Sequence, residues 1–164
     1  MGVRDHDALE RARLIAGGNR ASDTVALIAD AQKLGRSDDP VLRQALVDCW
    51  TRQQIQRYLG FRAQTAMSQG RAPGPETSIM KLFAAEYLRR LGDAALEVLG
   101  PDGMLTGSGW TERFLHAPSI RIAGGSNEIQ RNIIGERVLG LPSEPRVDKD
   151  VPFRDLKVGT QSRD

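Results

Sequence analysis

The sequence predicts an all-α fold, an antiparallel four-helix-type bundle followed by a polar tail. Three observations carry this expectation. Hydrophobic residues make up 40% of the chain but aromatics only 5%, so the core must be built from Leu, Ile, Val and Ala. Apolar residues recur at three-four spacing over stretches of up to about thirty residues, with no alternating run of strand length. Each stretch is bounded by residues that start or stop helices. At 164 residues the chain has the size of one domain with one core.

The first helical stretch runs from about Asp5 to Lys33, with Leu9, Leu14, Val25, Ile28 and Ala29 as its apolar members. Gly17-Gly18 interrupts it, since two adjacent glycines cost a helix about 2 kcal/mol against alanine. Gly35 is placed to stop it. The second helix has an acidic cap, Asp38 and Asp39, before Pro40 at the first helical position. Its stripe is Leu42, Ala45, Leu46 and Cys49, continued in shifted phase by Ile55, Leu59, Ala63, Ala66 and Met67, and Gly70 ends it. Pro73-Gly74-Pro75 forms a stiff turn. The third helix follows with Ile79, Leu82, Phe83, Glu86, Tyr87, Leu91, Ala94, Ala95 and Val98 on one face, and stops at Gly100-Pro101. A short helix is expected over Trp110–Leu115, ended by Pro118. The last helix opens at Ser126 or Asn127, where Asn127 and Gln130 have capping-box spacing, and Ile129, Ile133, Ile134, Val138 and Leu139 form its expected buried face. Residues 1–142 are thus expected to form the bundle, and 143–164, mostly charged or polar, an extended or mobile tail.

Composition excludes several classes of function. With 23 basic and 21 acidic residues the formal net charge is +2, and no block of like charge suggests nucleic acid as a partner. One cysteine, Cys49, rules out an internal disulfide, and with only His6 and His116 as imidazoles no metal site is expected. The N-terminal residues are charged from Arg4 and carry no secretory signal. No window has the length and apolarity of a membrane span. The expectation is a cytoplasmic protein.

The most informative segment is Ile120–Pro142, IRIAGGSNEIQRNIIGERVLGLP. It pairs two glycines with a capping serine and then opens a helix that ends at Gly140 and Pro142. A turn of this kind brings bare backbone close to a ligand, and the free N–H groups and positive dipole end of residues 126–128 suit an electron-rich one. The segment also resembles the C-terminal signature of the acyl-CoA dehydrogenases. Other landmarks of that family occur in its order: Leu34-Gly35 where Phe-Gly is usual, the Leu96–Gly103 helix end and loop, Gly124–Arg131, and Glu136–Pro142. The resemblance covers about Leu9 to Pro145. Full members place a helical and a β domain ahead of this bundle, and neither fits before Leu9. The chain is therefore expected to be the C-terminal domain alone.

The resemblance implies FAD as cofactor, an acyl-CoA substrate desaturated between its α and β carbons, an electron-transfer acceptor, and a homo- or hetero-oligomer, dimer or tetramer. Many members carry the catalytic base just before the glycine of the turn. Gly124 stands there and cannot take a proton. Others carry it on the first helix of this domain, where Glu10 holds the matching place. Gly124, Gly125, Ser126 and Glu128 match the segment that approaches the flavin. Gly100 and Gly103 match the loop that touches the adenine and pyrophosphate end of a flavin on a neighbouring subunit. Three departures affect that end: Glu97 replaces a common glutamine, Pro101 removes a backbone donor, and Ala31 stands where an arginine is common; nearby Arg36 is read first as an ordinary solvated loop residue and second as a compensating cation. Arg131 could face a partner or the nucleotide. Three readings stay open: a flavin-dependent dehydrogenase domain, a non-catalytic subunit or oligomerisation module of such an assembly, and an inactive truncated fragment.

Overall fold

A computed structural model describes residues 23–72, 74–143 and 151–156. Five α-helices are present among them: α1 Asp23–Lys33, α2 Pro40–Ser68, α3 Glu76–Leu99, α4 Gly109–Ile120 and α5 Asn127–Ile133. A 3₁₀ turn at Gly100–Met104 joins α3 to α4, and a π-helical turn at Ile134–Val138 follows α5. No strand occurs among the described residues. Of the tail, residue 143 and residues 151–156 are described, the latter including a 3₁₀ turn at Phe153–Asp155.

Helices α1 to α4 alternate in direction. Asp48 and Arg52 of α2 meet Arg90 and Phe83 of α3, an antiparallel register. Phe114 of α4 lies on Gly92 of α3, while Arg121 just beyond α4 lies beside Lys81. At Gly92 an added Cβ would stand 3.1 Å from the Phe114 Cα, so any side chain there would push the two helices apart by a few tenths of an ångström. Helix α3 contacts all four other helices and is the hub of the bundle.

The core lies between α1, α2 and the C-terminal half of α3. Leu27, Ala31, Leu42, Leu46, Cys49, Tyr87, Leu91, Ala94, Ala95 and Val98 are buried there. Tyr87 reaches the inner face of α1 and shares a 3.0 Å hydrogen bond with the Thr24 hydroxyl. Asp39 caps α2 as expected: its Oδ1 accepts from the Val41 and Leu42 amides at 2.9 and 3.2 Å.

Five expectations are corrected. The buried face of α1 is Thr24, Leu27 and Ala31, and Val25 is exposed, because the face is set by α3 rather than by the most apolar positions. No residue beyond Gln53 in α2 is buried; Ile55 and Met67 are exposed, as α2 outruns the helices that cover it. Pro118 does not end α4, which continues to Ile120. Proline there removes the N–H that would bond the Phe114 carbonyl in the last turn, and the Ser119 hydroxyl donates to the His116 carbonyl at 2.8 Å. The expected buried face of the last helix is exposed at three of its five positions, with Ile129 51%, Val138 40% and Leu139 66% accessible, and only half-buried at Ile133 and Ile134, while Asn127 and Gln130 are buried. Asn127 and Gln130 do not form the capping box, for Ser126 is the cap and its Oγ accepts from the Ile129 amide at 3.3 Å.

Candidate functional site at the glycine turn

The chain leaves α4 and turns through Arg121–Ser126 into α5. Gly124 and Gly125 both have left-handed backbone, φ +67° and +89°, and both are exposed. Around Gly124 an added Cβ would meet nothing, so bare backbone faces open space. At Gly125 a Cβ would lie 2.8 Å from Gln130 Nε2, so a side chain there would displace Gln130. That amide donates to the Gly124 carbonyl at 3.0 Å.

The turn is tied to α3 by polar groups. Asn127, 1% exposed, donates its backbone N–H to the Arg121 carbonyl at 2.9 Å and so closes the loop. Its Nδ2 donates to Glu86 Oε1 at 3.2 Å, and its Oδ1 accepts from Lys81 Nζ at 3.2 Å. Lys81 also donates to the Arg121 carbonyl at 3.5 Å. Glu86 is flanked by Arg121 at 3.8 Å and Arg89 at 3.6 Å. Buried polar groups are tolerated when fully paired in this way.

At the start of α5 the exposed Glu128 carboxylate already takes the helix end. Its own backbone N–H, then the Ser126 hydroxyl, hold its pKa below the ordinary glutamate value. Arg131 lies 3.5 Å from Glu128 and is exposed.

Gly100 and Gly103 lie at the far end of α3. Lys81 and Gly100 are separated by about 28 Å at the helical rise per residue, so one copy of the chain does not bring the two glycine segments together. Gly103 is buried against Leu96, and its carbonyl accepts from the Thr111 hydroxyl at 3.0 Å. Arg36 Nη1 sits 3.2 Å from where a Gly100 Cβ would be, so a guanidinium stands beside this loop although position 31 is an alanine. Ala31 is buried and Glu97 exposed. Trp110 Nε1 donates to Asp30 at 3.0 Å, fixing the start of α4 to α1 at this end. Glu10 lies outside the described residues. No group of His, Cys, Asp and Glu able to hold a metal ion occurs among the described residues, and none of their helices is long and apolar enough to cross a membrane.

Sequence reasoning missed Lys81, Arg121 and the inward role of Gln130. One signal was available: Glu86 falls within the apolar stripe of α3, and a charge in a buried stripe needs a partner.

Comparison with known proteins identifies the family and the fold. Residues 8–139 match the model of the acyl-CoA dehydrogenase C-terminal domain. The chain is 38% identical over 122 residues to acyl-CoA dehydrogenase IpdE1 of Mycolicibacterium smegmatis, covering 72% of this chain and 30% of that one. Among solved structures it superposes on the steroid ACAD Tcur3481-Tcur3483 with TM-score 0.69 at 22% identity, over 82% of this chain and 38% of that one. It superposes on the ChsE4-ChsE5 complex from Mycobacterium tuberculosis with TM-score 0.62 at 23% identity, over 76% and 36%. The chain thus spans about a third of the length of the curated relatives it matches. By its match over residues 8–139 and its all-helical fold, this chain belongs to the acyl-CoA dehydrogenase family of oxidoreductases, in the part that forms their C-terminal helical domain.

Proposed function

We propose that the chain acts as the C-terminal domain of a flavin-dependent acyl-CoA dehydrogenase, oxidising an acyl-CoA thioester to its 2-enoyl form. The observation that carries this reading is the exposed Gly124-Gly125 backbone, open on its outer side and held from within by Asn127 and Gln130. Such a turn fits the close approach of a flat cofactor better than any surface with side chains. Gly124, Gly125, Ser126 and Glu128 would lie against FAD in this reading. Gly100 and Gly103, with Arg36 beside them, would meet the nucleotide end of a cofactor held by another subunit. The separation of the two segments along α3 supports a cofactor shared between copies or between unlike chains. The relatives that superpose include a structure described as a complex, which supports a homo- or hetero-oligomer.

FAD supplies the hydride acceptor for the substrate β carbon and passes electrons on to an electron-transfer acceptor. The polypeptide supplies position and the base that takes the α proton. Glu10 is the candidate base of this chain, with a glutamate of a partner subunit as the alternative. The buried free thiol of Cys49 suits a reducing compartment, which fits a cytoplasmic enzyme.

A second reading, a non-catalytic subunit or oligomerisation module, is favoured by Gly124 in the place of a base and Pro101 in the place of a backbone donor. Absorbance decides between them. The intact polypeptide that carries this chain, purified with FAD, should absorb near 450 nm (about where oxidised flavins absorb), and that band should bleach when an acyl-CoA is added without oxygen. A protein that stays colourless with excess FAD would establish the module reading. Glu10→Gln should slow bleaching by about a hundredfold or more; unchanged bleaching would remove Glu10 as the base.

A further inference from the structure

We infer that Lys81 is a positioning residue for the glycine turn, holding both stems of the loop with one ammonium group and so setting where Gly124 and Gly125 present their backbone. The inference rests on the reading that this turn meets the flavin. Lys81 Nζ lies 3.2 Å from Asn127 Oδ1 on one stem and 3.5 Å from the Arg121 carbonyl on the other. The two stems are themselves joined by the Asn127 N–H to Arg121 carbonyl bond at 2.9 Å. Asn127 is buried and cannot exchange these partners for water. Its oxygen faces the Lys81 cation and its nitrogen faces the Glu86 anion at 3.2 Å, so its amide has one orientation only.

Hydrophobic burial does not hold the loop. Ile122, its one large apolar side chain, is 72% exposed, and Ala123, Gly124 and Gly125 are exposed as well. Backbone bonds shape the loop itself, with Ala123 N–H on the Ser119 carbonyl at 2.9 Å and Asn127 N–H on that of Arg121; the charge-assisted bonds from Lys81 and Glu86 tie it to α3, with Gln130 under the Gly124 carbonyl. Lys81 stands in the N-terminal part of α3, so the turn is referenced to the helix that organises the whole bundle. A neutral side chain at 81 would leave Asn127 Oδ1 buried with no cation, and the turn would lose its defined height above α3.

The test compares wild type, Lys81→Met and Lys81→Arg in the intact flavin-binding polypeptide. Lys81→Met keeps the aliphatic stem without a donor. It should retain helix content by circular dichroism, raise the dissociation constant for FAD about tenfold or more, and shift the visible bands of the bound flavin. Lys81→Arg, which keeps the charge and can reach both oxygens, should recover most of the affinity and the band positions. A merely structural lysine would lower the melting temperature without moving the spectrum. If Lys81→Met loses its helices, Lys81→Gln takes its place in the same comparison. A folded neutral variant with wild-type affinity and spectrum overturns the inference, as does an arginine variant no better than the neutral one. A wild type that takes up no FAD would instead sink the flavin reading, and this inference with it.

Discussion

The two ends of α3 are held by different physics. Toward Gly100, α3 buries Tyr87, Leu91, Ala94, Ala95 and Val98 against Leu27, Ala31, Leu42, Leu46 and Cys49, a dry aliphatic core. Toward its N-terminus the polar contacts to the α5 segment run from Lys81 and Glu86 to Asn127, with Gln130 bracing the turn from inside, while Ile122, Ile129 and Leu139 face outward. Apolar burial is strong and undirected; paired polar groups add less stability but fix geometry. The difference teaches that the first end makes the domain stable and the second makes one loop well placed. It also leaves apolar side chains on the outer face of α5, the kind of surface that meets a partner.

The comparison can be broken most severely in the core. Leu91→Ala should cost about 2–5 kcal/mol of unfolding free energy, read by denaturant titration. A loss below about 1 kcal/mol would mean that the aliphatic end is not where stability resides. Asn127→Ala should cost about 1–3 kcal/mol, because the half-buried Lys81 and Glu86 lose their shared, buried partner. A larger loss there than at Leu91 would invert the contrast.

Alkaline pH probes the core in a second way. Burial first, then neighbouring Asp48, pushes the Cys49 thiol from 9.0 up to about 11. Burial likewise pushes the Tyr87 phenol from 10.0 up to about 12. Both groups hold their protons more tightly folded than unfolded. Their contribution is therefore fully present below about pH 9 and is lost as pH rises through 11 to 12. Stability should fall from about pH 9 upward, and Cys49 should alkylate at pH 8 with about a hundredfold less thiolate than an ordinary thiol. Fast alkylation of the native protein would show that the core at Cys49 is open.

Smaller still is the cap. Asp39→Ala should cost about 1 kcal/mol, since two amides of α2 lose their acceptor. Smallest for folding is the outward face: Ile129→Glu should change stability by no more than about 0.5 kcal/mol, yet disrupt assembly seen by sedimentation. An Ile129→Glu protein that unfolds instead would place this side chain in the core.

Much of the fold was legible because helix punctuation is local. Asp39-Pro40, Gly70, Gly100-Pro101 and Ser126 mark real boundaries, each readable from one or two residues and their backbone needs. The turn Gly124–Ser126 was legible for the same reason. What local reading missed was which way each helix faces. Val25 and Ile129 are as apolar as Leu27, but α3 covers only one side of α1, and α5 is bonded to α3 through the Asn127 amide. Lys81 was invisible for a related cause: its partners, Arg121 and Asn127, are forty or more positions away. The separation of Gly100 from Gly124 follows from the length of α3, and only the tertiary arrangement turns it into two sites.

The most direct test of the central claim is an experimental structure of the assembled, FAD-loaded protein. The account predicts backbone atoms of Gly124–Ser126 within about 4 Å of the flavin, with Gly100–Gly103 of another subunit toward the nucleotide end. A flavin bound elsewhere, with the glycine turn left in solvent, would contradict it.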